Sequence, residues 1–185
     1  MALLDRDDSV LLVVDAQPGF LPAGSEPAVE RMAWLVAVAA RLDVPVVVTE
    51  EEPERNGTTD TRVAKLLPAD TPVFAKPTFG LASTPEILAA VRATQRGTAV
   101  IVGCETDVCV AQSAIGLGAA GFECVVVEDA TFSPGEMHER GLARIHSEGV
   151  ARNHAKGVTY EWLRTVDDAH AALGDPSLPP PPFRL

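Results

Sequence analysis

Five short, nearly unbroken apolar runs, each ending at or near a polar residue, constrain this chain more than any other feature. They are Ser9 to Asp15 (SVLLVVD), Val44 to Thr49 (VPVVVT), Val73 to Lys76, Ala99 to Gly103 (AVIVG) and Glu123 to Glu128 (ECVVVE). A strand with one wet face alternates apolar and polar residues. A strand covered on both faces does not, and helices flanking a parallel sheet provide that cover. Helical patterns fall between the runs, at about 28–42, 83–95, 106–120 and 135–152, with a last one near 160–172. The alternation predicts an α/β fold with a mostly parallel, doubly wound sheet and helices on both faces. A sixth short strand is expected around Gly157–Thr159.

With 185 residues the chain has room for one domain with a full core, assigned to residues 1–174. Glu50 to Asp60 (EEEPERNGTTD) is polar and rich in breakers, and reads as a loop. The tail 175–185 (DPSLPPPPFRL) cannot be regular structure, because four successive prolines remove backbone donors and fix φ. It is either a free end or an arm lying on a partner subunit. The pattern Gly116-x-Gly118-x-x-Gly121 resembles a dinucleotide fingerprint. It lies at the end of a helix and before a strand, the wrong context for cradling a pyrophosphate, so it is read as close packing and a helix stop.

A net charge of -11 argues against a nucleic-acid partner, since a phosphate backbone would meet a repelling field. No run approaches the ~18 apolar residues of a membrane span, and the acidic start MALLDRDDSV is unlike a signal peptide. A cytoplasmic location with no membrane partner is expected. Three cysteines do not make a disulfide framework and are read as reduced thiols.

In an open parallel sheet the reactive site lies beyond the carboxyl ends of the strands. The first run ends at Asp15, the third at Lys76, and the fourth leads into GCETDVCV. With Thr106 or Asp107 as N-cap, Cys109 falls in the first turn of a helix, where free N–H groups and the dipole favour a thiolate. Lys76 nearby would favour it further. Asp15 ends a wholly apolar strand and needs a partner; that partner is Lys76 in a purely structural pair, or the thiol if Asp15 acts as a general base. Cys124 reads as core filling and Cys104 as a wall beside the site. His138, His146 and His154, spaced by eight residues, do not share a helix face, and with His170 they read as surface positions, so no metal or other cofactor is expected.

The segments LLVVDAQPGF, FAKPTFGLAS and VIVGCETDVCVAQSA resemble the isochorismatase-like cysteine hydrolase family in order and spacing, over almost the whole chain. The resemblance implies a six-stranded sheet in the order 3-2-1-4-5-6, a catalytic triad of Asp15, Lys76 and Cys109, and a non-proline cis peptide at Cys104–Glu105. It implies an oxyanion hole built from the backbone amides of Glu105 and Cys109, and assembly into dimers or larger homo-oligomers. Gln17, Phe20, Phe79 and Glu105 are the candidate substrate contacts. Nicotinamidases of this family carry a D-x-H metal motif after the second strand; here that stretch is TEEEPERNG, without histidine. The expected reaction is hydrolysis of a small-molecule amide or related C–N bond through a thioester on Cys109. The alternatives are vinyl-ether hydrolysis of isochorismate with Asp15 as the acid, and a non-catalytic binding protein on the same fold.

Overall fold

The computed structural model describes residues 2–184. Its six strands are β1 (Ser9–Val14), β2 (Val46–Glu51), β3 (Val73–Lys76), β4 (Thr98–Cys104), β5 (Glu123–Phe132) and β6 (Ala151–Asn153). All five strand pairings are parallel, in the order β3-β2-β1-β4-β5-β6.

Every residue of β1 is buried, and successive side chains enter opposite layers. Leu11 and Val13 pack with α1 (Glu26–Arg41) and α7 (Ala155–Leu163). Val10, Leu12 and Val14 pack with α4 (Pro85–Ala93), α5 (Ala111–Ala119) and α6 (Met137–Ser147). This two-sided burial is why the strand sequences lack polar alternation. The polar atoms that reach the core are paired: the indole N–H of Trp34 donates to Thr159 Oγ1 at 3.0 Å and that of Trp162 to Ser9 Oγ at 3.0 Å.

The structure corrects several boundaries. Gly157–Thr159 lie inside α7, and the sixth strand is Ala151–Asn153 instead. Local β-branching at Val158 and Thr159 yields to burial of both on α7, whose start is capped by His154 Nδ1 accepting from the Gly157 amide at 2.9 Å. The last helical pattern divides into α7 and α8 (Val166–Leu173). The stretch read as a loop after Thr49 instead extends β2 to Glu51 and then makes one single-turn helix, α2 (Pro53–Asn56), with a second, α3 (Thr61–Ala64), following it. Residues 175–184 of the tail are irregular, and they fold back on their own chain. Phe183 meets Trp34 edge-on with ring centroids 5.7 Å apart, and Asp175 pairs with Arg41 at 3.0 Å.

Two glycines are demanded by close approach. At Gly103, with φ +126°, a Cβ would stand 1.8 Å from the Val14 carbonyl oxygen. At Gly141 it would stand 2.7 Å from the backbone of Asp107, so only glycine lets α6 brace the turn that carries Cys109. The glycines of the fingerprint-like motif behave as packing and stop signals: Gly116 faces Ala82, and Gly121 takes φ +99° after α5. No described helix is long and apolar enough to cross a membrane.

Cys124 sits within β5, and burial pushes its thiol from 9.0 up to about 12. Above pH 9 the unfolded chain releases this proton while the folded chain retains it, so the stability present below pH 9 declines as pH rises. Cys124→Ala should therefore lose stability less steeply than wild type between pH 9 and 10.5. The expected difference is about 1.4 kcal/mol per pH unit, read from denaturant melts at each pH.

Candidate active site

Three strand ends meet at one edge of the sheet. Asp15 follows β1 in a left-handed conformation with φ 47°, a region that aspartate tolerates better than most residues. Its amide donates to the Thr49 carbonyl at 3.0 Å, which ties the turn to β2. Lys76 closes β3, where it is the register partner of Glu51. Cys109 lies in a π-helical turn, Thr106–Val110, between β4 and α5, and Glu105 joins that turn to β4 through a cis peptide after Cys104.

The expected triad residues are assembled. Lys76 Nζ lies 2.6 Å from Asp15 Oδ2, with both side chains sealed from solvent. The ammonium also donates to the carbonyls of Thr78 at 2.8 Å and Phe79 at 2.9 Å. Asp15 Oδ1 accepts from the Thr49 hydroxyl at 2.9 Å. Burial pushes the Asp15 carboxyl above its ordinary range, against the opposing pull of Lys76, the Cys109 thiol and Thr49. The Cys109 Sγ lies within 4.8 Å of an Asp15 carboxylate oxygen.

The expected local cap is corrected, and the surroundings of the thiol work against the expected thiolate. The turn is capped by Glu105 through its backbone: its carbonyl accepts from the amides of Val108 at 3.2 Å and Val110 at 3.0 Å. Asp107 instead accepts from Ser133 Oγ at 2.6 Å, and the Thr106 hydroxyl pairs with His138 Nδ1 at 2.9 Å. Burial and the adjacent Asp15 push the Cys109 thiol well up, and one ammonium does not offset them.

One site residue escaped the sequence reading. Glu51, at the end of β2, accepts from the Cys109 thiol at 3.3 Å through Oε2. Its backbone is fixed from below: Gln17 Oε1 accepts from the Glu51 amide at 2.7 Å, and Gln17 Nε2 donates to the carbonyls of Glu51, at 3.0 Å, and of Gly57. Glu50 closes the same loop by accepting from both the amide and hydroxyl of Thr59 at 2.7 Å. The rule that located Asp15 and Lys76 applied equally here, but three successive glutamates looked like a solvated loop.

The other anticipated contacts have distinct positions. Gln17 is buried, and its amide braces Glu51. Phe20 is half-buried and packs on the α1 side of the core. Phe79 is 52% exposed, and its carbonyl holds Lys76. Glu105 is half-buried, and burial, then Asp107 and Glu51, push its carboxyl up. The Asp15, Glu51 and Cys109 ligand atoms lie within 4.8 Å of one another, the spacing of a small metal cluster. An ion there would share Asp15 with an ammonium 2.6 Å away, and the two positive charges would oppose each other.

A doubly wound parallel sheet presenting a carboxylate, an ammonium and a thiol at its carboxyl edge defines a class of small α/β hydrolases. The isochorismatase domain family matches residues 9–154, a span that includes all three groups. This chain belongs to the isochorismatase-like hydrolase family. It is 34% identical over 131 residues to the secreted isochorismatase effector Isc1 of Phytophthora sojae, a match covering 68% of this chain and 62% of that protein. Less than two thirds of that relative's length is therefore spanned. Among solved structures, YcaC from Escherichia coli, described as an octameric hydrolase of unknown specificity, is 26% identical with a TM-score of 0.87. That likeness covers 94% of this chain and 88% of that one. YcaC from Pseudomonas aeruginosa, solved with hexane-2,5-diol and covalent acrylamide, is 27% identical with a TM-score of 0.82, covering 92% and 90%.

Proposed function

We propose that the chain hydrolyses a small amide, or a related C–N bond, through a thioester on Cys109. The observation that carries this reading is the convergence of the Cys109 thiol with the sealed Asp15–Lys76 pair from three separate strands. Asp15 accepts the thiol proton as Sγ attacks the carbonyl carbon, and its raised affinity for a proton suits it to that step. The backbone amides of Glu105 and Cys109 stabilise the oxyanion. When the tetrahedral adduct collapses, the C–N bond breaks and Asp15 returns the proton to the leaving amine. Water then cleaves the thioester, giving the acid and the free thiol. Lys76 keeps Asp15 ionised between turnovers despite its burial. Covalent acrylamide in the Pseudomonas aeruginosa relative is consistent with a reactive nucleophile on this fold.

The same reading makes the partner a small molecule and needs no cofactor. It extends to this chain the self-assembly described for Escherichia coli YcaC, and a reducing, cytoplasmic compartment that suits three free cysteines. A panel of small primary amides, with isochorismate assayed in parallel, tests the reaction. Turnover of an amide and none of isochorismate is expected; the reverse pattern would overturn the proposal in favour of vinyl-ether chemistry.

A further inference from the structure

We propose that this site selects substrates carrying a cationic or N–H-rich group beside the scissile bond and turns away carboxylates, with Glu51 as the residue that reads that group. The inference deepens the functional reading above and rests on its placement of the substrate beside Cys109.

Among the described residues, Lys76 is the cation sealed inside the site. The three N–H donors of Lys76 are all engaged, by Asp15 at 2.6 Å, Thr78 at 2.8 Å and Phe79 at 2.9 Å. None remains for an incoming carboxylate, and the charge is already neutralised by Asp15. The groups left without a counter-ion are all acidic: Glu51 from β2, Glu105 after β4 and Asp107 in the π-helical turn. Among the described residues none of these three joins an ion pair; the nearby Arg55 pairs with Glu52 instead, and His138 is held by Thr106.

Glu51 stands out from the other two because it touches the reacting atom. Oε2 lies 3.3 Å from Cys109 Sγ, and the clamp from Gln17 and Asn56 on its backbone fixes where the carboxylate stands. Among the described residues its other oxygen accepts no hydrogen bond. A substrate carbonyl placed for attack by Sγ therefore brings its neighbouring substituent within reach of a half-buried carboxylate. An ammonium, an amidine or a urea-type NH2 gains there; a carboxylate meets Glu51 and Glu105 together. Burial first, then like charge from Asp107 and Glu51, lifts the Glu105 carboxyl, and a bound cation would relieve the second of these.

Charge selection can be read at the thiol itself, without turnover. Cys109 is labelled at low salt with two matched methanethiosulfonates, one bearing a trimethylammonium and the other a sulfonate. Rates at the Cys109 peptide are followed by mass spectrometry and divided by those for free 2-mercaptoethanol. The normalised preference for the cationic reagent should be about tenfold or more, should shrink severalfold in Glu51→Gln, and should weaken with added salt. A wild-type preference at or below one, an unchanged preference in the variant, or no labelling by either reagent would overturn the proposal. Because labelling requires no hydrolysis, failure here is separable from failure of the amide panel, which reports on the reaction alone.

Discussion

Lys76→Met should lower stability by about 3–5 kcal/mol, because it leaves the Asp15 carboxylate buried without its counter-charge. For a chain of this size that is a fall in Tm of about 6–20 °C. The pair is sealed on both sides, so water cannot replace the lost ammonium. Asp15 would instead take up a proton, a direction in which burial already pushes it. A protonated Asp15 cannot accept the thiol proton, so turnover should fall by at least ~10²-fold even at temperatures where the variant is folded. The double variant Asp15→Asn/Lys76→Met separates the two effects. With both charges gone it should regain most of the lost stability and none of the activity. Thermal melts and rates on the three proteins check this, and recovery of activity in the double variant would remove Asp15 from the mechanism.

How far the sequence revealed the site depends on which signal each residue carried. Asp15 and Lys76 were legible because each is a charge at the end of an apolar run, and the topology of a parallel sheet sends such ends to one edge. Cys109 was legible by its place after the fourth strand. The same logic missed Glu51. Its two acidic neighbours, Glu50 and Glu52, made the run look solvated, whereas Glu50 is buried on Thr59 and β2 continues through Glu51. The electrostatics at the thiol had no local signal: a helix start suggests positive potential, while burial and the Asp15 carboxylate from a distant strand push the thiol up. Boundaries failed where tertiary contacts outweighed local preference, as at Val158 and Thr159. The direction in which the tail folds had no local signal. Phe183 finds Trp34, almost 150 residues earlier in the chain, through apolar contact alone.

Cys109→Ala should abolish hydrolysis of any amide the protein accepts, by at least ~10⁴-fold, because it removes the nucleophile that forms the acyl intermediate. Stability should change by only about 1–2 kcal/mol, because one buried sulfur is lost and the Asp15–Lys76 pair is untouched. The surviving fold makes the loss of rate interpretable as chemistry.

The most direct test of Cys109 as a covalent nucleophile is to quench the wild-type protein in acid during turnover and weigh it intact. A mass gain equal to the acyl half of the substrate, mapped to the peptide containing Cys109 and discharged by hydroxylamine, is the expected result. Sustained amide turnover by Cys109→Ala, or an acyl group carried on any other residue, would contradict it.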